Sequence, residues 1–68
     1  MVQYSITRLG KDVVRKHVNS TDDGVRLLSI IWEEGLVSDD ECDIKVKGGR
    51  FLASEMAKGR LLKSEGGT

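Results

Sequence analysis

Chemistry in this chain would have to come from few side chains. One cysteine, Cys42, and one histidine, His17, are present. Together they fall short of the three or four ligands of a zinc site, and a single cysteine excludes an intrachain disulfide. Cys42 lies between Glu41 and Asp43, whose charge disfavours a thiolate, so it reads as a small packing residue rather than a nucleophile. His17 falls at the end of a predicted helix, where an end charge suits it better than a ligand or base role. Asp22-Asp23 and Asp39-Asp40-Glu41 lack the spacing and glycine of a calcium loop and fit the first turns of helices. Lys47-Gly48-Gly49-Arg50 lacks the longer spacing and the Lys-Ser/Thr end of a phosphate loop. A chain of 68 residues can hardly enclose a shaped pocket. A non-enzymatic domain is expected, with no catalytic, metal or cofactor site.

The cations carry what chemistry remains. Lys47, Arg50, Ser54 and Lys58 are three, four and four residues apart, so a continuous helix would gather them on one side, opposite Leu52, Ala53 and Met56. Long cations in such a row meet phosphates, and an arginine near a helix start reaches the guanine edge bidentately. Arg60 and Lys63 follow as candidates for backbone phosphates, with the wet side of a strand as the competing reading. Net charge is zero, yet it is laid out in three blocks. Arg8, Lys11, Arg15 and Lys16 against Asp12 make the first +3. From 18 to 43, Arg26 faces eight acids for −7, and from 44 onward Lys45, Lys47, Arg50, Lys58, Arg60 and Lys63 oppose Glu55 and Glu65 for +4. Solvated internal pairing is the plain alternative to a polyanion site.

Those residues need elements to position them. Val2, Tyr4 and Ile6 alternate with Gln3 and Ser5 as in a half-buried strand. Thr7 is placed to cap a helix over Arg8 to His17, with Leu9, Val13, Val14 and Val18 on its apolar face and Gly10 as a weakening of about 1 kcal/mol. After the capping-rich Asn19 to Asp23, a helix runs from Asp23 to Glu34. Val25, Leu28 and Trp32, flanked by Leu27 and Ile31, form its apolar stripe, and Gly35 ends it. Ser38-Asp39-Asp40-Glu41 has the form of a capping box and predicts a short helix to Val46. Cys42, Ile44 and Val46 also alternate with Asp43, Lys45 and Lys47 ahead of Gly48-Gly49, which spells a hairpin over Cys42 to Ser54. Both readings stand at this level. A helix over Gly49 to Lys58, closed by Gly59, a strand over Arg60 to Ser64 and a turn or frayed end at 65–68 are expected to follow. Trp32 and Phe51 are expected in the core, which leaves little support for a single-strand-binding surface.

In this order the helices and the segment Gly59-Arg60-Leu61-Leu62-Lys63-Ser64-Glu65-Gly66-Gly67 resemble a winged helix-turn-helix. Tyr4-Ser5-Ile6-Thr7-Arg8-Leu9-Gly10-Lys11 is similar to that family's recurrent Tyr-x-Leu/Ile-Thr-x-x-Gly-Lys step, which there follows the wing and here comes first. A returning wing strand is absent unless Val2 to Ile6 supplies its partner. The resemblance implies an α+β domain of three to four helices, with the N-terminal strand paired to the C-terminal one. It implies Gly49 to Lys58 as the recognition helix of a DNA-binding protein of the small transcriptional-regulator kind, with Lys47, Arg50, Ser54, Lys58, Arg60 and Lys63 as contacts. The rival expectation on the same fold is a protein-interaction module that never touches DNA.

Size sets the remaining bounds. One domain spans 1–68, and a core this small buries only about 60% of the surface its unfolded chain exposes, so a homodimer or protein partner is kept in view. The N-terminus lacks the pattern of a signal peptide and no stretch approaches a membrane span, from which a cytoplasmic protein without membrane contact is expected.

Overall fold

The computed structural model describes residues 2–66. In chain order the elements are β1 (Val2–Ile6), α1 (Arg8–Lys16), α2 (Asp23–Glu34), β2 (Val37–Ser38), α3 (Asp39–Lys45), α4 (Gly49–Lys58) and β3 (Leu62–Gly66). The strands form one antiparallel sheet in the order β2-β1-β3. The expected α+β class and the pairing of the N-terminal with the C-terminal strand are therefore present. In the full register Val2 faces Gly66, Tyr4 faces Ser64 and Ile6 faces Leu62. Strand β3 thus continues through Glu65 and Gly66, the first two residues of the segment expected to fray, while 67–68 lie outside the described residues. The hairpin reading of Cys42 to Ser54 is overturned, because both arms are helical.

Local chemistry explains the helix starts. Thr7 Oγ1 accepts from Gly10 N at 3.2 Å, Asp22 Oδ2 accepts from Gly24 N and Val25 N at 3.0 and 3.3 Å, and Ser38 Oγ accepts from Glu41 N at 3.2 Å. Each cap satisfies amides that the first turn of a helix leaves without partners. Thr7 does more than cap. Its hydroxyl donates toward the Arg60 carbonyl at 2.6 Å, and its amide donates to the Leu61 carbonyl at 3.1 Å, which ties the start of α1 to the approach of β3.

Gly10 and Gly49 are needed for closeness rather than for flexibility. A Cβ at Gly10 would overlap the Leu61 carbonyl oxygen and come within 2.7 Å of Ile6 Cγ1, and one at Gly49 would overlap the Cys42 carbonyl. The propensity that Gly10 costs α1 is what lets α1 lie against the backbone before β3. Gly49 does the same for the packing of α4 on α3.

The core is built from Tyr4, Leu27, Leu28, Ile31, Val37, Cys42, Val46, Ala53 and Leu62. In α2 the centre of the buried face is Leu27, Leu28 and Ile31, with Val25 and Trp32 only half-buried, so the expected stripe is rotated. The reason is that α2 packs against α1, α4 and β1 together. Trp32 lies at the α1 side, with Lys11 Nζ 5.6 Å and Arg15 Cζ 5.5 Å from its ring centroid. Leu9 and Val18, expected on the inner face of α1, are exposed, and Val13 and Val14 alone contact the core from that stripe. Val18 lies beyond the end of α1, which closes at Lys16 with His17 as its cap, so it is not on the helical face at all.

Candidate nucleic-acid interface

Helix α4 follows α3 through Val46, Lys47 and Gly48, and Gly48 adopts a left-handed φ of 71°. That turn breaks the continuous helix on which the row from Lys47 to Lys58 was drawn. Lys47 sits in the turn and is exposed, outside the helical periodicity of the other three. Arg50, Ser54 and Lys58 do share one flank of α4, but they look onto different neighbours.

The guanidinium of Arg50 pairs with Asp40 on α3, and the Arg50 amide donates to Asp43 Oδ1 at 3.4 Å. Arg50 thus joins the two helices. Ser54, Ala57 and Lys58 line an open groove of about 330 Å³ whose other wall is Val2, Tyr4 and Ser64 of the sheet. Lys58 Nζ stands 3.8 Å from Glu55 Oε1 with both side chains well exposed, a contact worth under about 1 kcal/mol and easily opened.

The outward face of α4 centres on a residue that sequence reasoning assigned to the core. Phe51 is 68% exposed. Gly49 and Ala53 are the buried positions of α4, with Leu52, Met56 and Ala57 half-buried beside them, and at 100° per residue Phe51 lies opposite their centre together with Lys58. The signal was available, because Phe51 falls outside the Leu52, Ala53 and Met56 face. A large aromatic ring favours burial, but the helical phase of Phe51 turns it outward. Ile44, on the outer side of α3, is more exposed still at 82%.

Arg60 and Lys63 diverge from this surface in different ways. The C-terminus of α4 is closed by bonds from Leu61 N to the Met56 carbonyl at 2.9 Å and from Arg60 N to the Ala57 carbonyl at 3.1 Å. This is the pattern of a Schellman cap with Arg60, not Gly59, as its left-handed residue. Gly59 has φ −83° and Arg60 has φ 66°. An arginine there costs about 1 kcal/mol relative to glycine. Arg60 lies two residues beyond Lys58, past the Gly59 cap at the end of the helix. Lys63 belongs to the other side of the sheet. Leu62 is buried and Ser64 lines the groove, so by strand alternation Lys63 and Glu65 point to the opposite face, where Lys63 Nζ lies 3.5 Å from Glu65 Oε1. Lys63 is not contiguous with α4.

The chain matches no family model, no curated protein and no solved structure. The site has to be judged on its own geometry.

Electrostatics sharpen the picture. Across α3, the turn and α4, five acids (Asp39, Asp40, Glu41, Asp43 and Glu55) slightly outweigh Lys45, Lys47, Arg50 and Lys58. All of the acids but Glu55 lie on α3, with Asp39, Asp40 and Glu41 in its first turn, whereas of the cations only Lys45, in its last turn, is on α3 and the others sit in the turn and on α4. Burial, then the nearby charges of Asp39, Glu41 and Asp43, push the Cys42 thiol up to about 11, and Cys42 is fully buried. It packs, as expected, between α3 and the rest of the core. Burial and the charge of Asp39 also raise Tyr4. No helix is long and apolar enough to cross a membrane among the described residues.

Proposed function

We propose that this domain binds double-stranded DNA through the outward side of α4, as a winged helix-turn-helix in which β1 stands in for the returning wing strand. The supporting observation is a helix whose outward side is uncovered and which carries cations at both ends: Lys47 before it, Lys58 in its last turn and Arg60 just beyond. Ten residues of helix are about 15 Å long, comparable with the ~12 Å width of the major groove. Cations at its two ends reach phosphates on both rims. Phe51 then faces the base edges, where an aromatic ring suits a thymine methyl, while Ser54, turned toward the groove beside the sheet, stands at the margin of that side. Arg50 is reassigned in this reading. Paired with Asp40, it bridges α3 and α4 and has to give up that exposed pair to reach guanine. An arginine kept at a left-handed position where glycine costs less supports a contact role for Arg60. A part in transcription regulation follows as the broader proposal.

Fluorescence anisotropy with duplex DNA at low and moderate salt tests this. Binding should weaken steeply with salt. Lys47→Ala and Lys58→Ala should each weaken it several-fold and flatten the log–log salt slope by about 0.9. Arg50→Ala should change it less than either. Arg60→Gly should weaken binding while raising stability by up to about 1 kcal/mol. No binding at low salt, or binding indifferent to Lys47 and Lys58, sinks the reading. A second reading, a protein-binding module, is favoured by the exposure of Phe51 and Ile44 beside the acids of α3. A protein complex lost on Phe51→Ala, together with no DNA affinity, would select it.

A further inference from the structure

The sheet has two edges of unequal character. On one side β2 is only two residues long, which leaves little backbone for another strand. On the other, β3 pairs with β1 alone and runs for five residues. Lys63, Ser64, Glu65 and Gly66 are all exposed, and among the described residues no side chain hydrogen-bonds to the backbone of 62–66. The strand has no proline and no bulge in its register with β1. Such an edge is a template for a further strand.

We propose that β3 pairs antiparallel with β3 of a second copy of this chain, about a two-fold axis at Ser64, to give one continuous six-stranded sheet. The side-chain order of Leu62-Lys63-Ser64-Glu65-Gly66 selects both the partner and the register. Centred on Ser64, the pairing sets Lys63 of each copy opposite Glu65 of the other, twice, on the solvent face. Leu62 meets Gly66, so no two bulky side chains collide. A two-fold axis at Lys63 or Glu65 would oppose like charges, and a parallel in-register pairing would do so at both positions. Opposite charges directly across a ladder are favourable and like charges unfavourable. Isologous closure of this kind uses one patch twice and covers the β3 edge of both copies at once. The short reach of a 68-residue core gives the domain reason to gain from it. This dimer does not depend on the DNA reading.

Sedimentation velocity over a concentration series of the full chain is the test. Wild type should dimerise. Lys63→Glu and Glu65→Lys should each weaken the dimer about tenfold or more, because each turns two attractive pairs into two repulsive ones. The double reversal should restore it with the pairs exchanged. Mixing the two single variants should give a heterodimer, since one chain then carries two acids and the other two lysines along β3. Both positions are exposed, and circular dichroism verifies that the variants fold. Amide exchange of 62–66 should slow as concentration rises. A monomeric wild type, a dimer indifferent to the single reversals, a double variant as weak as the singles, or exchange at 62–66 independent of concentration overturns the proposal.

Discussion

Two surface aromatics on facing halves of the domain have opposite fates. Trp32 on α2 is half-buried and lies under Lys11 and Arg15 of α1, whose charged ends stand 5.6 and 5.5 Å from its ring centroid. Phe51 on α4 is 68% exposed among the described residues. The cations near Trp32 are spent internally, since Arg15 also lies 3.5 Å from Asp12. On the other half Arg50 is tied to Asp40, while Lys47, Lys58 and Arg60 surround the side that carries Phe51. An aromatic roofed by its own chain serves stability, whereas a bare one flanked by loosely held cations is available to a partner. The earlier basic patch of α1 thus has a structural use, and the α4 side keeps the surface open to a ligand.

Three measurements would break or sharpen that contrast. The largest effect is expected where each half meets its neighbour through a glycine. Gly49→Ala should cost about 3 kcal/mol or more and lower the melting temperature by roughly 12 °C or more, because a backbone carbonyl cannot move aside as a flexible side chain can. Gly10→Ala should also destabilise, despite the better helix propensity of alanine. A neutral or stabilised Gly49 variant in thermal unfolding would mean that α3 and α4 are looser than described.

Next comes pH, which should act on the α3–α4 half through Cys42. Its thiol ordinarily ionises near 9 and is raised to about 11 in the folded state. The unfolded chain therefore loses the proton first, and stability present below about pH 9 declines as pH rises toward 11, by about 2–3 kcal/mol. Tyr4, raised as well, adds in the same direction. Urea unfolding between pH 8 and pH 11 (~) should show the decline, and Cys42→Ala should flatten it; an unchanged slope in that variant assigns the effect elsewhere.

The smallest difference separates the aromatics themselves. Trp32→Ala should cost about 1–3 kcal/mol in denaturant unfolding, through lost packing and two weak cation–π contacts. Phe51→Ala should stay within about 0.5 kcal/mol. Equal losses would erase the distinction between a structural and an available aromatic.

Much of the fold was legible in the order of residues. Thr7 and Ser38 announce helix starts because their oxygens meet amides three residues on, a local bond that needs no tertiary partner, whereas Asp22, expected in the first turn of α2, is its cap. The alternation of Val2, Tyr4 and Ile6 marks a half-buried strand because successive side chains point to opposite faces, although its partners are distant in sequence. The two-residue strand β2 was not legible, since Val37 and Ser38 become a strand only by lying beside Tyr4 and Gln3. Of the site, the flank of Arg50, Ser54 and Lys58 followed from helical spacing, and its separation from Lys47 and Lys63 did not.

Sequence alone determined the class of the domain, its caps, the position of most elements and the uneven placement of charge, all of which rest on interactions a few residues long. Tertiary structure decided which charges remain free. Asp40 and Arg50 are ten residues apart and met only when Gly49 let α4 close on α3. Arg60 was turned left-handed by the cap that hands the chain to β3. Lys63 went to the far face because Leu62 had to pair inward beside Ile6. In each case the deciding contact joins distant segments, and no local spacing encodes the partner.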